Sequence, residues 1–323
     1  LAHSHLEFDS RDVPVYKLRD LPRYTTDDRK DGVDDTTPIT MLGYNCNGIR
    51  ASYVHDDWEK ILEDSPDVIA ICELKGAFYR LKTFMGGAMW NRFRAMYPYI
   101  HIFSARSPNT GTHGTALMSK LRPDGWVTGI DDDVFDEEGR QVGAIIGNRI
   151  ITCTYAQTAG FQNAALAKTE RFWKAKEKAS LHILHKGYEE QGFGDLNVVR
   201  DLEADCGSTT AWQGGVCAQR PSTTKEERKL LKNYLFKTQM MDYHDPKLKG
   251  SKYFTYFHTL KDRNRADGTR IDYFYGGQVD WSSPRCRYLP PCVSVRSDIP
   301  GSDHLPVACL LPRRKADDTY END

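Results

Sequence analysis

From Ile39 onward the apolar residues of this chain come in short bursts, and most bursts end at a polar residue. "ITMLGYNCNG" reads as an apolar strand running into Asn and Gly, and "SPDVIAICELK" as a near-continuous apolar run, the pattern of a strand covered on both faces. Between them Val54, Trp58, Ile61 and Leu62 recur at helical spacing. Further strands are predicted over "YPYIHIFSA", "GTALMSK", "QVGAII", "NRIITCTYA", "RIDYFYGG" and "PVACLL". The charged stretch from Ala164 to His185 carries Leu166, Phe172, Trp173 and Leu181 and predicts a surface helix. "TTKEERKLLKNYLF" predicts another, with Thr223 or Thr224 as its N-cap and acids in its first turn. "HKGYEEQGFGDLN" fits less well: a central strand should not bury Glu189 and Glu190 side by side without partners. The expected strand there is the preceding "LHILH", with an insertion or unusual loop before Gly194 and Asp195.

No repeat or internal linker interrupts this alternation, so the pattern predicts one compact α/β domain over residues 39–313. It is preceded by a polar extension over 1–38, mobile or draped on the body, and followed by a charged tail over 314–323. The net charge of −1 argues against a blanket nucleic-acid coat, but the extension holds nine acids and six bases (−3), leaving about +2 for the rest. Bases cluster in "KLKGSKYF" and "LKDRNRADGTR", interleaved with Tyr253, Phe254, Tyr256 and Phe257. That mixture suits a phosphate backbone flanked by stacked or extruded bases, and equally a lysine-rich loop beside a buried aromatic strand. No apolar run approaches a membrane span. Of eight cysteines, Cys46, Cys72, Cys153 and Cys309 lie in apolar strands and read as buried thiols; Cys206 with Cys217, or Cys286 with Cys292, are open pairings. No Cys/His spacing suggests zinc, and a reducing, intracellular compartment is expected: nuclear in a eukaryote, otherwise cytoplasmic.

The polar groups at the strand ends form a set. They are Asn45 and Asn47, Glu73 and Lys75, Tyr155, Asp195 and Asn197, Arg270 and Asp272, then Asp303 and His304 before the last strand. Each alone has a turn or surface explanation. In order, "NCNGIRA", "PDVIAICELK", "GTHGTALMSK", "DEEGRQVGA", "GDLNV", "EER", "TRIDYF" and "GSDHLPV" resemble the motifs of the exonuclease III-type abasic-site endonucleases, colinearly from Leu42 to Leu311. These belong to the wider endonuclease/exonuclease/phosphatase superfamily.

The resemblance implies a DNase I-like four-layer sandwich of two packed mixed β-sheets flanked by helices. It implies a monomer that uses Mg2+, with Mn2+ as a substitute, and no nucleotide cofactor, acting on duplex DNA containing abasic sites away from any membrane. Hard oxygen ligands suit Mg2+, and by resemblance Glu73 is the principal ligand, with Asn47 and Asp303 beside it. Asp195 would orient and deprotonate the attacking water, and Asn197 would position it. His304 would contact the scissile phosphate while Asp272 holds its other ring nitrogen, and Tyr155 and Asn45 would complete the hydrogen-bonding wall. Arg270, Tyr256 and Ile271 fall at the substrate side.

This chain departs from the family pattern at three places. After Tyr155 the family carries Pro and then an amide; here Gln157 replaces the proline and Thr158 stands at the amide position. Thr269 stands where several relatives carry Trp, and the polar Glu189–Gln191 stretch precedes Gly-Asp. Two alternatives stay open: another phosphodiesterase of the superfamily, such as a retrotransposon-like nicking enzyme or a phosphatase, and a catalytically impaired DNA-binding relative.

Overall fold

The computed structural model describes residues 6–9, 12–25, 36–49, 57–75, 78–105, 112–207, 221–244, 253–257, 263–264, 267–277, 288–299 and 301–315. Most of the basic stretch between Lys247 and Asp262, together with Cys217, Cys286 and the last eight residues, lies outside them.

The strands are β1 (Leu6–Asp9), β2 (Val15–Lys17), β3 (Thr40–Asn45), β4 (Val68–Cys72), β5 (Tyr99–Phe103), β6 (Thr115–Ser119), β7 (Gly125–Thr128) and β8 (Gln141–Ile146). They continue as β9 (Arg149–Tyr155), β10 (Glu189–Asp195), β11 (Met240–Asp242), β12 (Asp272–Gly277), β13 (Tyr288–Leu289), β14 (Cys292–Val295), β15 (Val307–Leu310) and β16 (Arg313–Arg314). The helices are α1 (Asp57–Asp64), α2 (Phe78–Met96), α3 (Asp133–Glu137), α4 (Leu166–His185), α5 (Leu202–Asp205) and α6 (Lys225–Lys237).

Two seven-stranded mixed sheets result, in the orders β1-β5-β6-β4-β3-β15-β14 and β11-β12-β10-β9-β8-β7-β2. Period-two alternation sends one set of side chains from each sheet inward. Met41, Val68, Ala70, Cys72 and Leu117 of the first sheet meet Val142, Ala144, Ile151, Cys153, Phe193 and Phe274 of the second in one buried core. At the centre the backbones come very close: a Cβ on Gly43 would lie 2.0 Å from the Phe193 ring, so only glycine admits that ring. The outer face of the first sheet packs Leu42, Tyr44, Ile69 and Ile71 on Trp58, Ile61 and Phe93 from α1 and α2. The outer face of the second packs Ile150, Tyr273 and Tyr275 on Phe172, Trp173 and Ile183 of α4 and Leu231 and Tyr234 of α6. The four-layer sandwich is thus present, and among the described residues no helix is long and apolar enough to cross a membrane.

Two expectations change. The polar N-terminal extension supplies an edge strand to each sheet, β1 against β5 and β2 beside β7. "LHILH" is not a strand but the last turn and a half of α4; the strand is "EEQGFGD" itself, paired with both β9 and β12. Its carboxylates have partners from afar. Glu190 accepts from the Lys176 ammonium of α4 at 2.5 Å and from Thr152 Oγ1 at 3.0 Å, and Glu189 accepts from the Tyr288 hydroxyl. The sequence reading named no element over α2, in whose middle sit Gly86 and Gly87, each costing about 1 kcal/mol relative to alanine. The second predicted surface helix starts where the sequence placed it, with Thr224 and Glu227 forming a reciprocal cap.

Candidate active site

Strand direction gathers the polar ends. β3 and β4 run parallel, with Asn45 opposite Cys72, and β9 and β10 run parallel, with Tyr155 opposite Asp195. β12 is antiparallel to β10 with Asp272 opposite Asp195, and β15 is antiparallel to β3, so both begin where their neighbours end. Six separate stretches of chain therefore deliver their polar residues to one edge of the sandwich.

The two sheets use the same local device there. Asn45 Oδ1 accepts the Asn47 amide at 3.0 Å, and Asp195 Oδ1 accepts the Asn197 amide at 2.9 Å, two Asx turns that stop a strand and reverse its polar residue outward. The residues after each turn are left-handed, Asn47 at φ 48° and Asn197 at φ 51°, a region asparagine tolerates. Glu73 and Lys75 are also left-handed, at 51° and 49°, where non-glycine residues other than Asn and Asp carry about 1–2 kcal/mol of strain. That segment is pinned regardless: Gly48 N to Glu73 O, Ile49 N to Leu74 O, Leu74 N to Gly114 O and Lys75 N to His113 O.

The side chains close into a network. The buried Asn45 amide donates to Glu73 Oε1 at 3.1 Å and to Asp195 Oδ2 at 2.7 Å, joining carboxylates of opposite sheets. Tyr155 OH donates to Glu73 Oε1 at 2.7 Å. His304 Nδ1 is 2.8 Å from Asp272 Oδ2, and its Nε2 lies 3.9 Å from Asp195 Oδ2. Asn47 Nδ2 donates to Asp303 Oδ1 at 3.0 Å, and Asn197 Nδ2 donates to the Ala156 carbonyl. The turn carrying Asp303 and His304 is itself held. Ser302 Oγ donates to Asn45 O and accepts from His304 N, while Gly301 N donates to Asp57, whose carboxylate also takes the Tyr44 hydroxyl. A Cβ at Gly301 would strike that carboxylate at 2.0 Å.

Electrostatics separates the groups. Burial and the neighbouring Asp272 and Glu73 push the Asp195 carboxyl well above the ordinary range, against the opposing pull of His304 and Asn45. Burial alone would discharge His304, but Asp272, Asp195 and Asp303 outweigh it and raise its pKa, which favours the protonated ring held through Nδ1 by Asp272. Burial likewise disfavours the Glu73 anion, yet hydrogen bonds from Lys75, Tyr155 and Asn45 keep it ionised. Burial and the adjacent Glu73 hold the Tyr155 phenol neutral. One carboxylate is therefore fixed as an anion and another is poised to take a proton, the division that acid–base chemistry needs.

Asp195, Asp272 and His304 place ligand-type atoms within 4.8 Å of one another. Within this trio the His304 ring is hydrogen-bonded through Nδ1 to Asp272 and its pKa is raised, which favours holding a proton there over ligating a cation. The oxygens suited to a hard cation lie next to it. Glu73 Oε2 is 2.6 Å from the Lys75 ammonium, which also contacts Asn47 Oδ1, and Asn47 Nδ2 donates to Asp303 Oδ1. A set of oxygens already gathered around a positive charge fits a divalent ion.

The remaining expected residues divide. The Tyr256 ring lies tilted at 49° against His304 with centroids 4.8 Å apart and its backbone bridges to it, and Ile271 packs with Tyr256, Val199 and Cys206 beside the site. Arg270 does not reach the cleft: its guanidinium is buried in ion pairs with Asp205 and Asp242, each at 2.8 Å, which makes it an anchor for the β12 entry rather than a substrate contact. Gln157 cannot stand in freely for the missing amide. Its Oε1 accepts from Arg140 and its Nε2 donates to Thr158 O, while Thr158 Oγ1 accepts from Gly160 N. Arg140 also donates to the Tyr155 and Ala156 carbonyls and pairs with Glu138, so it sets the whole loop. Arg140, Ser302 and Lys75 carried no role in the sequence reading, although Arg140 lies inside "DEEGRQVGA" and Lys75 inside "PDVIAICELK".

Cavities of about 590 and 430 Å³ lie along α4 and at the opposite end of β10, and no residue of this network lines either.

Residues 42–304 match the sequence model of the Endonuclease/Exonuclease/phosphatase family. A DNA-(apurinic or apyrimidinic site) endonuclease of Dictyostelium discoideum is 25% identical over 278 residues, covering 84% of this chain and 70% of that protein. An exodeoxyribonuclease of Bacillus subtilis is 24% identical over 279 residues, covering 84% and 99%. The crystal structure of AP endonuclease LMAP from Leishmania major superposes with a TM-score of 0.68 at 18% identity, covering 92% of this chain and 93% of that one.

Proposed function

The chain belongs to the endonuclease/exonuclease/phosphatase family, and from that premise we propose that it is a Mg2+-dependent DNA-repair endonuclease that hydrolyses the phosphodiester on the 5′ side of an abasic site. The observation that carries this reading is the Asn45 amide bridging Glu73 and Asp195 across the two sheets, beside the His304–Asp272 pair. It sets an ionised carboxylate, a carboxylate of raised proton affinity and a raised-pKa imidazole side by side at the meeting of the two sheets.

Asp195 takes a proton from a water that Asn197 helps to position, and the resulting hydroxide attacks phosphorus. The imidazolium of His304 donates from Nε2 to a non-bridging oxygen, while Asp272 fixes the ring through Nδ1. The P–O3′ bond breaks, leaving a 3′-hydroxyl once solvent protonates the departing oxygen and a 5′-phosphate on the abasic residue. Glu73, Asn47 and Asp303 would hold the Mg2+, which supplies Lewis-acid neutralisation of charge at the phosphate and the leaving oxygen. Tyr256 and Ile271 border the place where a sugar without its base would enter, and extrusion is least costly where pairing is already lost. Trimming at 3′ ends belongs to the same reading, because the bond broken is the same; the Bacillus relative's name supports it.

The test is a synthetic duplex carrying one tetrahydrofuran abasic analogue. The expected result is a single Mg2+-dependent cut 5′ to the analogue, abolished by EDTA, with little cutting of the intact duplex. Equal cutting of both duplexes would favour a general nicking enzyme, and duplex binding without any cutting would favour an impaired relative.

A further inference from the structure

We infer that Lys75 is a built-in counter-cation that occupies the divalent-ion position and must leave it before the ion binds. This rests on the reading of Glu73, Asn47 and Asp303 as the ion's ligands. Lys75 claims the same atoms that a cation would. Glu73 Oε1 is spent on Tyr155 and Asn45, and the Lys75 ammonium takes the remaining Oε2 at 2.6 Å. It also contacts Asn47 Oδ1, while the Asn47 amide nitrogen is engaged by Asp303.

The position of the ammonium is set by the backbone. Glu73 and Lys75 both adopt left-handed φ around a buried Leu74, and main-chain hydrogen bonds to Gly48, Ile49, His113 and Gly114 lock the turn. The turn folds the Lys75 stem across Gly48, where a Cβ would already be in contact with its Cβ and Cδ, and brings the ammonium back over the carboxylate two residues earlier. The side chain is nevertheless 29% exposed, against 15% for Glu73, so an outward path is open.

The arrangement does two things. Without a divalent ion it neutralises an oxygen cluster whose mutual repulsion would otherwise open the site. With an ion present it competes, lowering the apparent affinity, and the displaced ammonium becomes a free cation at the rim of the cleft.

The experiment uses the full chain without DNA and reads Mn2+ binding by calorimetry or electron paramagnetic resonance. Lys75→Met is expected to bind Mn2+ at least tenfold more tightly than wild type; equal or weaker binding overturns the inference. Should Lys75→Met fail to fold, Lys75→Gln serves in the same comparison. In the wild type, 15N resonances of lysine side chains are expected to show a protected Lys75 ammonium that loses protection on saturation with Mg2+. Protection that persists in the Mg2+-saturated protein overturns displacement. Glu73→Gln separates the two claims: it should weaken Mn2+ binding in both backgrounds, and unchanged binding there would sink the metal-site reading itself.

Discussion

The two ends of the seven-residue strand β10 hold buried carboxylates, Glu190 and Asp195, and they are built in opposite ways. At the start, Glu190 lies against the fully buried Lys176 ammonium, with Thr152 donating to the same oxygen and the Tyr234 and Tyr275 rings facing the cation. Burial works against the Lys176 charge, but Glu190 more than compensates and the lysine pKa rises. At the finish, Asp195 has no such private cation. Burial, Asp272 and the nearby Glu73 raise its proton affinity, and the His304 ring it shares with Asp272 does not offset them. A closed pair is a structural clamp between helix and sheet; an open cluster with too many carboxylates for its cations stores a readiness to bind positive charge and accept a proton.

The largest expected effect lies at the finish. Asp195→Asn should lower single-turnover cleavage of the abasic duplex by about 10³-fold or more, the range of a lost general base, while its melting temperature stays at or above that of wild type. Near-wild-type cleavage by that variant would remove Asp195 from the mechanism. At the start of the strand the effect should fall on stability. Glu190→Ala leaves Lys176 buried without its anion and should cost about 3–5 kcal/mol in urea unfolding, while the folded fraction cleaves at the wild-type rate. A variant of Glu190 that lost activity with its stability intact would dissolve the contrast.

The pH dependence sharpens the same distinction. His304 is pushed up from 6.5 to about 10, and Asp195 is also raised, so both hold protons more tightly folded than unfolded. Their contribution to stability is therefore lost as pH rises, complete for His304 below about 6.5 and gone by about 10. In EDTA the melting temperature should fall across that window, and His304→Gln should flatten the fall. A wild-type melting temperature that climbed with pH there would contradict the assignment. The smallest effect is expected at Thr158→Asn, which restores an amide that Gln157 cannot supply while Arg140 holds it. One added hydrogen bond to the phosphate is worth about a fivefold gain in turnover, and an unchanged rate would mean that Thr158 faces elsewhere during the reaction.

The contrast also explains what the sequence could reveal. Asn45, Asn47, Asp195 and Asn197 announce themselves because an Asx turn with a left-handed residue is a local event, written within three residues of the end of an apolar run. The start of β10 is not legible as a strand because the partners that make Glu190 acceptable lie far along the chain, on α4, β9 and β12. Arg270 misled for a related reason: its neighbour Asp272 belongs to the site, but its own partners, Asp205 and Asp242, come from α5 and β11. Local chemistry is legible in the sequence, and long-range neutralisation is not.

The most direct test is a crystal of the protein with an abasic duplex and Mn2+, read by anomalous scattering. The account predicts an ion bonded to Glu73, with Asn47 and Asp303 at its border, and the scissile phosphate within hydrogen-bonding distance of His304 Nε2. An ion and phosphate bound away from Glu73 and His304 would contradict it.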